Sequence, residues 1–234
     1  MKSKDQVLLE QAYERIVEGL YDPHIFKAIF MTGPMGAGKS TVAQKLVGGT
    51  GLRSLNLDNF NELMIKKGQV EGGILTPDQL QSSWEKVQKQ KVNFLEGRLG
   101  LLIDGSGRNV EDIKENLQIL LTLGYDVACI MVNVDIDVSI DRAKKRAALQ
   151  AAQYGTGRNV PEELQRKTHA DIQRNIPILK QIFGKYFFEI DNTNTPDLAL
   201  VQKKINQFLM TSPSKPQAQE WINNQKNIRR NPTQ

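Results

Sequence analysis

Gly33-Pro34-Met35-Gly36-Ala37-Gly38-Lys39-Ser40 decides the fold of this chain, because it matches the pattern GxxxxGK[ST] at every fixed position. The spacing has a physical cause. Glycines let the loop curl until successive backbone N–H groups point inward, and a helix that starts at its end adds partial positive charge at the same place. Such a nest grips phosphate: Lys39 is expected to reach the β- and γ-phosphates of a nucleoside triphosphate, Ser40 to offer its hydroxyl to Mg²⁺, and Thr41 to complete the cradle. The pattern carries this meaning only between a strand and a helix. Ala28-Ile29-Phe30-Met31-Thr32 before it is a short apolar run, and helical character resumes from Thr41 to Val47.

The same alternation continues outward. Ser54 to Leu57 predicts a second strand ending at Asp58, followed by a long helical stretch in which Leu80, Trp84 and Val87 share a face before Gly97. Leu101-Leu102-Ile103 predicts a third strand, and Ile113, Leu117, Leu120 and Leu121 stripe the helix that Gly124 ends. Val127 to Val134 is the most continuous apolar run, as a buried central strand requires, and Cys129 inside it reads as a core residue. Next come a helix bearing Arg142, Lys144, Lys145 and Arg146, a loop from Tyr154 to Pro161, and a helix that Pro177 should kink or divide. Lys185 to Ile190 predicts a fifth strand, and Leu198, Val201, Ile205 and Phe208 stripe a last helix. Each strand lies too far from the next for a hairpin. The expected fold is therefore α/β, a three-layer sandwich on a five-stranded, mainly parallel sheet. Residues 28–210 form its core domain, with a lid at about 142–161. A leading segment, 1–27, is expected to pack on that core through a helix carrying Leu9, Tyr13, Ile16, Val17 and Leu20. Residues 211–234, rich in Ser, Pro, Gln, Asn and Lys, are expected to form a flexible tail.

Composition narrows the function classes. With 234 residues, 39% apolar and 24% charged, the chain supports one sizeable core, and no apolar run approaches bilayer length. A membrane role has no support. The first ten residues lack the apolar stretch and cleavage site of a secretory signal, and the single Cys129 excludes an internal disulfide, so a cytoplasmic setting is expected. A net charge of +5 and a pI near 9.2 suit anionic ligands such as nucleotides.

A phosphate cradle alone does not choose among kinases, GTPases and motors, so other loops at the strand ends must supply the chemistry. Asp58 stands where an acceptor hydroxyl would sit. A carboxylate there either accepts the hydroxyl proton or caps the following helix. Asp104, in Leu102-Ile103-Asp104-Gly105-Ser106-Gly107-Arg108-Asn109, holds a position suited to Mg²⁺ or its water. Gly105 and Gly107 either admit a ligand closely or form a simple turn, and Arg108 is placed to meet a phosphate or the acceptor. Arg142, Arg146 and Arg158 flank the loop expected to close over the triphosphate, where an arginine stabilises charge on the transferring phosphoryl, whereas Lys144 reads as a solvated lysine. Asn133-Val134-Asp135 lacks the lysine of the guanine-reading NKxD signature. That weakens a GTPase reading, with ATP or GTP still open as donor.

With these residues assembled, the chain resembles the zeta-toxin family of P-loop kinases from about Phe30 to Asn192. The likeness rests on the P-loop, Leu57-Asp58-Asn59-Phe60, Ile103 to Arg108, Leu123-Gly124-Tyr125, and Gly157-Arg158-Asn159-Val160-Pro161. The resemblance implies Lys39 and Ser40 for phosphate and metal, Asp58 as catalytic base, and Arg158 with Arg146 or Lys145 as lid cations. Zeta toxins look like kinases of UDP-N-acetylglucosamine. This sequence departs from them in carrying Asp104 where a glutamate is usual and in a lid spacing shifted by one, which leaves phosphotransfer intact and the acceptor open. The leading reading is a kinase acting on a hydroxyl of a small nucleotide, nucleotide-sugar or similar compound. A polynucleotide 5′-hydroxyl kinase ranks second, on the basic pI and on Trp221, Lys226, Arg229 and Arg230; it calls for a basic, aromatic-lined groove leading to Asp58. A nucleotide-dependent binding module with weak ATPase activity ranks third, the tail then meeting a protein partner of unknown kind.

Overall fold

Continuous apolar runs become the centre of a sheet because both faces of a parallel strand are covered by helices. In the computed structural model, which describes residues 19–71, 74–158 and 160–230, the strands are β1 (Lys27–Thr32), β2 (Arg53–Leu55), β3 (Leu101–Asp104), β4 (Asp126–Asn133) and β5 (Phe187–Asp191). Their order is β2-β3-β1-β4-β5, and every neighbouring pair is parallel. The helices are α1 (Lys39–Val47), α2 (Leu57–Lys66), α3 (Pro77–Glu96), α4 (Val110–Thr122), α5 (Ile136–Tyr154), α6 (Glu162–Phe183), α7 (Ala199–Met210) and α8 (Pro216–Arg230).

Alternation along the strands sorts side chains onto two cores. Ile29 and Met31 of β1 with Ala128, Ile130 and Val132 of β4 meet Val42 and Leu46 of α1 and Ile205 and Phe208 of α7. On the other face Ala28, Phe30 and Cys129 meet Ile113 and Leu120 of α4, Ile172 and Leu179 of α6, and Ala218 of α8. Each fully buried large apolar side chain contributes about 1.5–3 kcal/mol. Three layers result, and the loop after β1 is left at one end of the sheet. Cys129 is buried, which pushes its thiol up to about 12, so it is an inert core residue.

Several boundaries differ from expectation for local reasons. β2 spans only Arg53–Leu55, so Asp58 lies not at a strand end but in the first turn of α2. The long helical stretch divides in two, and α3 starts afresh from a capping box between Thr76 and Gln79 with Pro77 in the first turn. Leu80 and Trp84 are exposed there, while Val87 packs on the core. α6 runs through Pro177 without dividing, anchored on either side of it by Ile172 and Leu179. A 3₁₀ turn, Gly184–Tyr186, delays β5 to Phe187.

The expectation of a flexible tail is corrected over α8. Few apolar residues remain in this stretch, but Ala218, Trp221 and Ile222 recur at helical spacing and face the second core. Ala218 is fully buried, the Trp221 ring meets Phe26 edge-on at 5.6 Å, and the Arg98 guanidinium lies 5.8 Å from the Trp221 ring centre. Trp221→Ala is expected to lower stability by about 2 kcal/mol, seen as a drop in thermal midpoint; an undocked tail would leave the midpoint unchanged. The leading stripe from Leu9 to Val17, Asn159 and residues 231–234 lie outside the described residues.

Candidate functional site

The P-loop leaves β1 at Thr32 and is braced from both sides. The Gly33 N–H donates to the Ser106 carbonyl at 3.1 Å, and the Gly105 N–H returns to the Met31 carbonyl at 2.9 Å. From the opposite side Ser139 Oγ donates to the Met35 carbonyl, and Asn192 Nδ2 to the Ala37 carbonyl at 2.7 Å. Two glycines are required by position. A Cβ at Gly33 would run into the main-chain oxygen of Val132, and one at Gly36, where φ is 75°, into that of Ser139. No side chain caps α1 and no acid stands in its first turn, so its leading N–H groups are left to an anion.

Lys39, Asp104, Asp58, Arg146 and Arg158 come from five separate segments. Lys39 Nζ donates to the carbonyls of Gly33 at 2.9 Å and Pro34 at 3.2 Å. Burial lowers the Lys39 pKa, Asp104 and Asp58 pull it back up, and Arg146 and Arg158 push it further down, so all four charges lie within its electrostatic reach. Asp104 pairs in register with Met31, one residue short of the end of β1. Its carboxyl is raised to about 6, chiefly by burial and further by Asp58, against the pull of Lys39 and the Gly105 N–H. The folded chain therefore holds this proton more tightly than the unfolded chain. Its contribution to stability is present below about pH 4 and is lost as pH rises toward 6. In metal-free buffer Asp104→Asn is expected to gain on the parent between those values, by about 3 kcal/mol at most, read from denaturant midpoints at each pH.

Asp58 is not the cap of its helix. That place belongs to Asn56, whose side-chain oxygen accepts the Asp58 N–H at 2.7 Å. The Asp58 carboxylate is instead about half exposed, and Arg158 Nη1 lies 2.6 Å from it. Arg158 stands on the loop between α5 and α6, its own N–H held by Gln150 Oε1 at 3.1 Å. Arg146 is exposed on α5. Arg142 stands apart from this cluster, tying down the β5–α7 loop through the carbonyls of Asn192 at 2.8 Å and Thr193 at 3.1 Å. Lys145 pairs with Asp141 and Lys144 with Glu162. Arg108 is exposed, and among the described residues its guanidinium has no hydrogen-bond or ion-pair partner, although its N–H donates to Ser106 Oγ at 3.2 Å. Gly105 and Gly107 line a cavity of about 200 Å³ with Thr32, Asp104 and Asn109.

The donor set fits a divalent ion. Among the described residues Asp104 Oδ1 is buried without a hydrogen-bond partner, and Asp104 and Ser40 line one cavity of about 330 Å³ beside Lys39. Among the described residues no three His, Cys, Asp or Glu side chains gather. An ion here would thus be completed by phosphate oxygens and water, as is usual for Mg²⁺. Asn56, which sequence reasoning passed over, also lines this cavity; an Asn two residues before the candidate base was the available signal. Trp221, one of the tail residues that suggested the polynucleotide reading, packs against Phe26 at the start of β1, the opposite end from the P-loop.

No curated protein matches the chain. Among solved structures, a presumed kinase from Chloroflexus aurantiacus is 19% identical, with 79% of this chain and 98% of that one covered and a TM-score of 0.60. The PezAT toxin–antitoxin system of Streptococcus pneumoniae gives 16% identity over 97% of this chain and 96% of that one, with a TM-score of 0.57. The Pnkp1/Rnl/Hen1 RNA repair complex gives 18% over 66% of this chain and 46% of that one, with a TM-score of 0.52. At such identities the likeness is one of fold, that of P-loop kinases. Membership is carried by the zeta-toxin family model, which matches residues 21–193 and so takes in the P-loop, Asp58, Asp104, Arg146 and Arg158. The chain belongs to the zeta-toxin family.

Proposed function

We propose that the chain is an ATP- and Mg²⁺-dependent kinase that phosphorylates a hydroxyl of a small nucleotide, nucleotide-sugar or similar compound. The observation that carries this reading is Asp58, a carboxylate relieved of capping, half exposed, and gathered with Lys39 and Asp104 at the mouth of the P-loop. The loop amides and Lys39 hold the β- and γ-phosphates. A divalent ion at Ser40 and Asp104 would offset negative charge on those oxygens. The acceptor oxygen attacks the γ-phosphorus while Asp58 takes its proton; the bond from phosphorus to the β–γ bridging oxygen breaks, and ADP departs.

Arg158 has two tasks in this scheme. While it holds Asp58 at 2.6 Å, the base is engaged, and its guanidinium must swing to the transferring phosphoryl before Asp58 can serve an acceptor. Lid closure and release of the base are then one motion. Incubation with γ-labelled ATP, Mg²⁺ and a metabolite extract, followed by mass identification of the labelled product, tests the reading. Label in a small phosphate ester supports it. Label at the 5′ ends of added oligonucleotides would move the chain to the polynucleotide class, and label in inorganic phosphate alone to a nucleotide-dependent binding module.

A further inference from the structure

Asn56 sits between β2 and α2, and both ends of its amide are committed. The side-chain oxygen accepts the Asp58 N–H at 2.7 Å, and Nδ2 donates to Asp104 Oδ2 at 2.7 Å. The orientation follows from chemistry alone, since the opposite one would set oxygen against carboxylate and NH₂ against N–H. One amide therefore joins the helix that carries Asp58 to the strand end that carries Asp104, 48 residues away in sequence. The same bond fixes the rotation of the Asp104 carboxylate. Oδ2 is taken, while Oδ1 remains buried and, among the described residues, unpartnered, in a residue lining the cavity that also holds Ser40 and Lys39. One oxygen bound by a neighbouring amide and the other left free is how a metal-binding carboxylate is held in aim.

We propose that Asn56 is a positioning residue, an amide clasp that aims Asp104 at the divalent ion and sets the base-bearing first turn of α2 in register with it; this rests on the kinase reading above. Other side chains perform only half of the task. Serine caps a helix about as well as asparagine but is too short to reach Asp104 as well, and aspartate caps but repels the carboxylate.

The test separates capping from aiming. Asn56→Ser, Asn56→Ala and the parent are compared by thermal melting and by Mn²⁺ binding in the presence of a non-hydrolysable ATP analogue, followed by electron paramagnetic resonance. Asn56→Ser is expected to melt close to the parent and to bind Mn²⁺ about tenfold more weakly, whereas Asn56→Ala loses both melting temperature and affinity. Parent-like Mn²⁺ affinity in Asn56→Ser overturns the proposal, as does a loss of affinity that merely follows the loss of melting temperature across the two variants. The readout needs no phosphoryl acceptor. If the parent binds Mn²⁺ with nucleotide, Asn56→Ser weakens it and no acceptor is phosphorylated, the kinase reading falls while the clasp stands. If phosphorylation occurs and Asn56→Ser binds as the parent does, the clasp falls alone.

Discussion

Asp58→Asn is expected to leave MgATP affinity nearly unchanged and to lower phosphoryl-transfer turnover by a factor of about 100 or more. The two effects separate because the two jobs reside in different groups. In the proposed scheme triphosphate is held by main-chain amides of the P-loop, whose helix start has no side-chain cap, and by Lys39, none of which the substitution alters. Asparagine matches aspartate in shape and retains an oxygen for Arg158, and the start of α2 stays capped by Asn56. What disappears is the capacity to accept a proton. Unchanged turnover would remove Asp58 from the role of base; a matching loss of ATP affinity would mean that the Arg158 pair, not proton transfer, is what the carboxylate supplies.

Lys39→Met is expected to lower turnover by a factor of roughly 10² to 10³, the largest effect among single substitutions that keep the loop intact. Methionine retains much of the apolar stem, so the loss reports the ammonium group. Its neighbours make the substitution instructive. Asp104 and Asp58 raise the affinity of Lys39 for its proton, and Lys39 in turn draws the Asp104 carboxyl downward against burial. Without the ammonium, Asp104 holds its proton more tightly still, and the variant should also need a higher pH or more Mg²⁺ to recover what activity remains. Steady-state kinetics across pH and Mg²⁺ concentration measure both parts. A drop confined to KM, with turnover preserved, would show that Lys39 serves ground-state binding alone.

Much of this arrangement was legible because it is local. A phosphate nest needs contiguous residues, and buried parallel strands announce themselves as apolar runs, so β1, β3 and β4 were found within a residue or two of their ends. The three-residue edge strand β2 carries too little pattern, and its misplaced end put Asp58 on a strand rather than in a helix turn. Once that turn is in view, Asn56 takes the cap and the Asp58 side chain is free of capping. Contacts between distant residues were not legible. Nothing in the local sequence relates Arg158 to Asp58, or Arg142 to the carbonyls of Asn192 and Thr193, because those pairs exist only after the sheet assembles. The last helix was missed for an energetic reason. Its mean hydropathy is low, yet Ala218, Trp221 and Ile222 fall on one face and pack together against the second core.

Nucleotide binding at the P-loop is measured by calorimetric titration of the parent and of Lys39→Met with MgATP and with MgGTP. Saturable, Mg²⁺-dependent heat is expected for the parent with at least one of the two nucleotides, with a clear weakening in the variant. No heat from the parent, or indistinguishable curves for the two proteins, would contradict it.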